Sequence, residues 1–350
     1  MPRIKKLIEE FPRFRDIDAL LITNDTNIRY LTQFAASESW LLVTKTKSYY
    51  ITDSRYTLEA KEGLRGVMVK QFACTPCTVL FELCKTLKIK RLGFDEKCTT
   101  VALFKKLKEF CPRRTKLVPA NCVTESLREI KEDNEIATIK ECLQLHAKAL
   151  TYMRKVVRPG LNERQVLAKL EGFVKSRKAT FSFPPIIASG VNSCYPHARV
   201  TDKVIKANEP VLLDFGIEIN GYKSDLTRNF FLRRMTPRYK QVLETLRLAQ
   251  AGAIAMIKPG VALADVDTCA RNILRKKGLA KFFGHSLGHG VGLDIHEAPR
   301  LSGKSTSVFE PGMIVTVEPG VYIPKAFGIR VEDMILVTKE GCEVLSGYID

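Results

Sequence analysis

The second half of the chain repeats a turn, a helix and a strand at an interval of 100 residues. RPGLNERQVLAKLEGF begins at Arg158, and KPGVALADVDTCARNI begins at Lys258. Each segment predicts a Pro-Gly turn followed by an amphipathic helix. An apolar strand follows each helix and ends near an acid, Asp214 in the first copy and Glu318 in the second. Two such halves should pack about a pseudo-two-fold axis, which places carboxylates at the centre of one domain.

The chain has 350 residues, which is enough for two domains. Its first part reads as α/β, with the strand-like runs DALLITN, WLLVTKTKSYYITD and RLGFDE separated by helical patterns such as VALFKKLKEF. The amphipathic segment EDNEIATIKECLQLHAKALTYMRKVV then predicts a long helix that opens the second part. We expect an α/β (α+β) fold with a smaller domain over residues 1–129 and a larger one over 130–350.

The composition is typical of a globular protein rather than a membrane-spanning or disordered one. Apolar residues make up 45% of the chain and charged residues 27%. No apolar run approaches the roughly 18 residues that cross a bilayer. The first residues, MPRIKKLIEEFPRF, lack the apolar core of a signal peptide. We therefore expect a cytoplasmic protein that does not associate with membranes.

The net charge of +18 raises the question of a nucleic-acid partner. Residues 1–130 carry 24 basic and 15 acidic side chains, and the remainder carries 32 and 23, so the excess is spread evenly. Such a surface attracts polyanions weakly. The sequence predicts no dedicated nucleic-acid site.

The segment VLLDFGIEINGYKSDLTRNFFL predicts a hairpin that carries two aspartates. Asn220-Gly221 between β-rich runs is a strong signal for a two-residue hairpin loop. Counting outwards from that loop places Asp225 opposite Gly216, so Asp214 lies diagonally across from Asp225 on the same face. Side chains in this relation can share one cation, although a polar outer face of a sheet explains them equally well.

Further acids in apolar strands favour the cation. Glu318 ends the strand MIVTV, and Glu332 lies in GIRVEDMILV on the same predicted strand face as Arg330. Carboxylates in such positions are costly to bury unless they are paired or coordinated. Four carboxylates with one imidazole would suit two divalent ions held a few Å apart.

Three histidines lie close together in FFGHSLGHGVGLDIHEAP, namely His285, His289 and His296. Their spacing alone leaves open whether they bind one metal together or have separate roles. His146, on the predicted long helix, lacks such a context and is expected to be structural.

Several motifs, taken in order, resemble those of the pita-bread metallopeptidases, which include methionine aminopeptidases, prolidases and Xaa-Pro aminopeptidases. The motifs are YPHARVTD, LLDFG with GYKSDLTR, GHSLGHGVGLDIHE, VTVEPG and GIRVED. NIRYLTQF and YYITDSRY, nearer the N-terminus, resemble the creatinase-like N-terminal domain of the prolidase and Xaa-Pro aminopeptidase branch. The resemblance implies a pseudo-two-fold pita-bread catalytic domain after residue 129.

The resemblance also implies a role for each matching residue. It implies that one histidine of the three is a metal ligand, and that Glu318 both binds metal and shuttles a proton. It places His285 and Arg330 at the substrate pocket and assigns catalytic roles to His197 and His296. The implied metal ligands are Asp214, Asp225, His289, Glu318 and Glu332.

The activity implied is hydrolysis of Xaa-Pro peptide bonds by a metal-bridged hydroxide, as an Xaa-Pro aminopeptidase or an Xaa-Pro dipeptidase. Two divalent ions per subunit are expected, with Mn first and Co or Zn as alternatives, together with a peptide substrate and a homodimeric assembly. The competing hypothesis is a non-catalytic pita-bread module that binds peptides or polyanions. Methionine aminopeptidase activity is disfavoured by the N-terminal domain.

Overall fold

A computed structural model describes residues 2–13, 17–35, 37–121, 123–233 and 235–349 of the protein. The chain divides into two compact units, Met1–Arg128 and Glu129–Asp350. Both units combine helices with β-sheet, which confirms the predicted mixed α/β class. None of the helices in the described ranges is both long enough and apolar enough to cross a membrane.

The N-terminal unit is built on a six-stranded mixed sheet in the order β4-β3-β2-β1-β5-β6. The runs predicted as strands form β1, β2, β3 and β5, so that prediction is confirmed. The strands are β1 Ala19–Ile22, β2 Trp40–Thr44, β3 Ser48–Thr52, β4 Met68–Gln71, β5 Arg91–Asp95 and β6 Lys116–Ala120. The helices are α1 Pro2–Glu9, α2 Asp25–Thr32, α3 Thr57–Gly63, α4 Pro76–Thr86, α5 Val101–Phe110 and α6 Val123–Glu129.

The C-terminal unit contains four helices in its described part, α7 Asp133–Val156, α8 Glu163–Lys175, α9 Pro237–Ile254 and α10 Leu263–Lys276. The strands of its first half are β7 Thr180–Phe181, β8 Ile186–Ser189, β9 Pro210–Phe215, β10 Ile217–Ile219, β11 Tyr222–Lys223 and β12 Leu226–Phe231. Those of its second half are β13 Gly288–Gly290, β14 Glu297–Leu301, β15 Ile314–Val317, β16 Gly320–Ile323, β17 Phe327–Arg330, β18 Asp333–Val337 and β19 Cys342–Val344. The larger sheets run β12-β9-β8 and β14-β13-β15-β18-β19.

The local structure of the internal repeat is confirmed in both halves. Gly160 and Gly260 have φ values of 92° and 83°, which glycine adopts readily. The N–H of Gly160 donates to Ile205, and the N–H of Gly260 donates to Phe309, so each turn is tied to the chain just before its central strand. In each half a helix packs against the sheet that contains the central strand, α8 against β8 and α10 against β14, and the apolar residues of the two halves form two separate clusters.

The predicted hairpin has the expected register. Ile219 pairs with Tyr222, and the ladder continues until Thr227 lies opposite Asp214. Asn220 and Gly221 have positive φ values of 50° and 80°, as a tight primed turn requires. Asp214 and Asp225 therefore share one face of this hairpin.

The prediction that GIRVEDMILV forms one strand is wrong. Two strands form instead, β17 and β18, and Val331 and Glu332 lie between them. The partner strand is interrupted at the same level, where Pro319 has no N–H to donate to a ladder and its carbonyl accepts from Val331. Because Val317 pairs with Asp333 and Gly320 with Arg330, the unpaired Glu318 and Glu332 face each other across the break.

His146 lies inside the core of the C-terminal unit, in agreement with its predicted structural role. The imidazole is fully buried, stacks on Phe215 at 4.0 Å between ring centroids, and places Nδ1 3.3 Å from the hydroxyl of Ser224. Burial, with a smaller effect from the charge of Arg228, holds the pKa of His146 well below its usual value of 6.5.

This buried imidazole should make folding sensitive to mild acid. The unfolded chain takes up a proton at His146 near pH 6.5 and the folded chain does not, so stability is complete above that pH and falls below it. We expect His146→Leu to reduce the slope of unfolding free energy against pH between about 6.5 and 5 in urea titrations. Ser224→Ala, which keeps the imidazole, should retain most of the wild-type slope. Equal slopes for wild type and His146→Leu would contradict this assignment.

Candidate metal centre and active site

The five side chains predicted to bind metal line one cavity of about 1400 Å³ in the C-terminal unit. His289 Nε2 lies 3.3 Å from Glu318 Oε1 and 3.6 Å from Asp225 Oδ2. One ligand atom each from Asp225, His289 and Glu332 lies within 4.8 Å of the others. Asp214 joins this group through its position on the face of the hairpin that carries Asp225. The fold thus brings together all five residues from strands, or from positions next to strand ends, in both halves.

Burial and mutual repulsion dominate the electrostatics of these carboxylates. Asp214, Asp225 and Glu332 are 7%, 5% and 2% exposed. Burial first, and then the negative charges of Glu332 and Asp214, raise the pKa of Asp225 well above its usual range. The same two kinds of cause raise the pKa of Glu332 to about 8. Such a cluster favours the binding of cations, because added positive charge relieves both costs.

The donor atoms fit a divalent metal. Asp214 Oδ1 and Asp225 Oδ1 are buried and have no hydrogen-bond partner among the described residues, a costly state that coordination to an ion relieves. Four carboxylates and one imidazole are ligands that Mg, Mn, Fe, Co and Zn accept, whereas a soft metal would prefer sulfur. The pKa of the His289 imidazole is lowered to about 4, mainly by burial, so its nitrogen is available as a neutral ligand at neutral pH.

Arg330 is the buried cation of this cluster, and it is 4% exposed. Its Nη2 donates to Asp214 Oδ2, and its Nε donates to the Thr227 hydroxyl over 2.9 Å. That hydroxyl in turn donates to Glu332 Oε2 over 2.6 Å. Arg330 Nη1 donates to the Tyr322 hydroxyl over 2.6 Å. One guanidinium therefore orients two of the carboxylates, one directly and one through Thr227.

The hydrogen bonds around His285 define its tautomer. Its Nδ1 lies 2.8 Å from the carbonyl of Ser286, which can only accept, so Nδ1 carries the proton. Its Nε2 therefore accepts from the Tyr322 hydroxyl at 3.0 Å. Burial is the main cause that lowers the pKa of His285 to about 4, which agrees with a neutral ring. His285 lines the cavity as expected, but both of its nitrogens are already engaged within the protein.

His197 and His296 have a different environment, since both are exposed and line the cavity. The His296 ring lies edge-on to His289, with 4.4 Å between centroids. Burial, followed by the neighbouring charge of His197, lowers the pKa of His296. These two imidazoles therefore lie beside the predicted metal ligands, where they can reach a molecule in the cavity.

Two functional residues were missed from the sequence. Tyr322 connects Arg330 to His285, and the Thr316 hydroxyl accepts from the N–H of His289 over 3.1 Å while it donates to Glu318 Oε1 over 3.3 Å. A signal was present for Thr316, which lies two residues before Glu318 on the predicted strand and so faces the same side. Tyr322 lies beyond the strand break at Pro319, where this alternation no longer applies.

Both parts of the chain match known protein families. The model of metallopeptidase family M24 matches residues 137–339, and that of the creatinase/prolidase N-terminal domain matches residues 3–130. The chain is 34% identical over 348 residues to an Xaa-Pro dipeptidase of Pyrococcus horikoshii, with 98% of this chain and 96% of the relative covered.

Solved structures show the same relationship. An Xaa-Pro dipeptidase from Bacillus anthracis superposes with a TM-score of 0.95 at 37% identity, covering 99% of this chain and 97% of that one. An X-Pro aminopeptidase from Thermotoga maritima superposes with a TM-score of 0.88 at 32% identity, covering 94% and 95%. These matches show that the chain belongs to metallopeptidase family M24, in the branch with a creatinase/prolidase N-terminal domain, and is a metallo-exopeptidase.

Proposed function

We propose that this enzyme hydrolyses the Xaa-Pro bond at the N-terminus of short peptides, using two divalent ions per subunit. The observation that carries the proposal is the convergence of five metal-ligating side chains, two with buried and unpaired oxygens, on one cavity. The relatives named as Xaa-Pro dipeptidase and X-Pro aminopeptidase support the substrate class. The proposed ligands are Asp214, Asp225, His289, Glu318 and Glu332.

Different residues of the chain would activate the substrate, stabilise the developing negative charge and transfer the proton. Divalent ions at such a centre supply a water molecule activated for attack on a carbonyl carbon. His197 and His296, exposed beside the ligands, donate hydrogen bonds to the oxygen that becomes negative, typically worth a few kcal/mol each. Glu318 carries the proton to the leaving nitrogen, which a tertiary Xaa-Pro amide needs because it has no N–H of its own. Thr316 orients that carboxylate.

Three further proposals concern the context of the site. The proposed working ion is Mn, with Co or Zn as alternatives. All three ions accept oxygen and imidazole donors. Residues 1–129 form the N-terminal domain and residues 130–350 the catalytic domain. The active assembly is a cytoplasmic homodimer. A fully active species with the mass of one chain in light scattering would contradict the homodimer.

The substrate proposal is tested with metal-stripped enzyme that has been reloaded with Mn. We expect release of the first residue from Ala-Pro, from Ala-Pro-Ala or from both, and loss of this activity in Glu318→Ala. Glu340→Ala, an exposed carboxylate in a surface turn, is the matched control and should match wild type. Cleavage of Met-Ala-Ser alone would instead indicate a methionine aminopeptidase. If no peptide is cleaved although metal is bound, the alternative of a non-catalytic pita-bread binding module is favoured.

The Thr227 hydroxyl should govern metal affinity, because it links Arg330 to Glu332. Thr227→Val keeps the shape and leaves both partners without their hydrogen bond. We expect it to weaken metal binding by about 10- to 100-fold in competition with a chelator, the usual cost of losing such a supporting contact. Thr227→Ser, which keeps the hydroxyl, should stay near wild type. Equal affinity for the Val and Ser variants would show that the hydroxyl does not support the site.

Arg300 favours the dipeptidase form of the activity. Its guanidinium lines the cavity, is tied to the Ser286 hydroxyl through Nε at 2.7 Å, and contributes to lowering the pKa of His296. A positive charge held at this point can bind the C-terminal carboxylate of a dipeptide. We expect Arg300→Gln to raise KM for Ala-Pro by about tenfold or more and to leave Ala-Pro amide, which lacks the carboxylate, nearly unchanged. Equal losses on both peptides would contradict this role.

A further inference from the structure

The segment between β8 and β9 forms one wall of the cavity. Residues 190–194 make a 3₁₀ turn, and residues 196–200, including His197, line the cavity. The segment leaves the sheet after Ser189. At its other end the carbonyl of Thr201 accepts from the N–H of Arg164 in α8. The position of His197 therefore depends on what holds the two ends of this loop.

One fully buried carboxylate, that of Glu163 at the first position of α8, contacts both ends. Its Oε1 accepts from the N–H of Ser189 at 2.7 Å and from the Ser189 hydroxyl at 3.0 Å. Its Oε2 accepts from Asn192 Nδ2 at 2.8 Å, and from the N–H and the hydroxyl of Thr201 at 3.0 and 2.7 Å. All five donors are neutral, and three residues of the loop or its ends supply them.

The chemistry of this contact requires a carboxylate. Five donors converge on two oxygens that can only accept. An amide in place of the carboxylate would put its NH₂ group against N–H donors, and because only the hydroxyls can turn to accept, one or two N–H groups would stay buried and unpaired, at a large cost. Glu163 is far from the proposed metal ligands along the chain and contacts none of them in the bonds described above.

The loop is also linked to Arg330 in the carboxylate cluster. The carbonyl of Pro196 accepts from Arg330 Nη1 at 3.2 Å, and Asn192 Nδ2 also reaches the carbonyl of Arg199 at 3.2 Å. Glu163 therefore binds the segment at Asn192 and Thr201, and Arg330 binds it at Pro196, so His197 lies along the chain between anchored residues.

We infer that Glu163 is a positioning residue, which sets the place of His197 in the cavity by binding both ends of the loop 190–201. This inference rests on the proposed Xaa-Pro hydrolysis for its kinetic consequence, and on the structure alone for its effect on the loop. The expected consequence is a loss in turnover that acts through His197 and leaves metal binding intact.

A double-mutant cycle tests the kinetic part with the full-length enzyme loaded with Mn and with Ala-Pro as substrate. We expect Glu163→Gln to lower kcat by about tenfold to a hundredfold, as small misplacements of catalytic groups do. In the His197→Ala background the same substitution should lower kcat by less than about twofold, because the imidazole through which Glu163 acts is already absent. Metal content should equal that of wild type. If the double variant loses kcat by the product of the two single losses, the substitutions act independently and the inference is overturned.

Amide hydrogen exchange supplies a readout that does not need activity. Glu163→Gln should speed exchange in residues 190–201 and leave α10 and β15 unchanged, whereas unaltered exchange in the loop would overturn the inference. Glu135→Gln, which changes a buried carboxylate at the start of α7, is the matched control and should leave the loop as in wild type. If wild type cleaves no Xaa-Pro peptide, the proposed function fails while exchange still decides the role of Glu163.

Milder variants cover the case in which Glu163→Gln does not fold. Asn192→Ala and Thr201→Val each remove one donor to the carboxylate and keep the rest. We expect each to reproduce the same pattern at a smaller size, with faster exchange in the loop and a kcat loss that disappears in the His197→Ala background. Wild-type exchange and turnover in both would contradict the inference.

Discussion

The buried guanidinium of Arg330 is the interaction on which the centre of this molecule depends. A charge at this depth is tolerated only when it is paired and hydrogen-bonded, and Arg330 meets both conditions through Asp214, Thr227 and Tyr322. It lies on a strand of the second half, whereas Asp214 and Thr227 lie on strands of the first. The pairing that makes its burial possible therefore also joins the two halves of the repeat at the proposed metal site.

Close backbone approach complements this charge pairing. Gly288 and Gly290 flank the proposed ligand His289, and a Cβ on either would lie 1.9 or 2.2 Å from a backbone oxygen of a neighbouring strand. A side chain at either position would push the strands apart and move His289 away from Asp225 and Glu318. The glycines on either side of His289 thus permit the short distances between His289 and the carboxylates. The carboxylates repel one another at such distances, and this repulsion favours the binding of cations.

Sequence reasoning succeeded where the determinants are local or periodic. The register that brings Asp214 beside Asp225 follows from one two-residue turn, and the repeat follows from matching turns and helices. It failed at the segment containing Glu332, because the strand break there depends on Pro319 in the segment opposite. The contacts of Glu163 were also beyond reach, since residues up to 38 positions apart meet only after α8 has packed on its sheet.

The three cavity histidines outside the ligand set divide by how the protein holds them. His285 has both of its nitrogens engaged by partners in the fold, the carbonyl of Ser286 and the hydroxyl of Tyr322, which fix the orientation of its ring. His197 and His296 remain exposed, but buried charges hold the loops that carry them, Glu163 in one case and an ion pair between Lys131 and Glu297 of 2.7 Å in the other. A histidine that contacts substrate needs exposed ring nitrogens and a fixed backbone. Buried ion pairs and hydrogen bonds to the loop can fix the backbone while the ring nitrogens stay exposed.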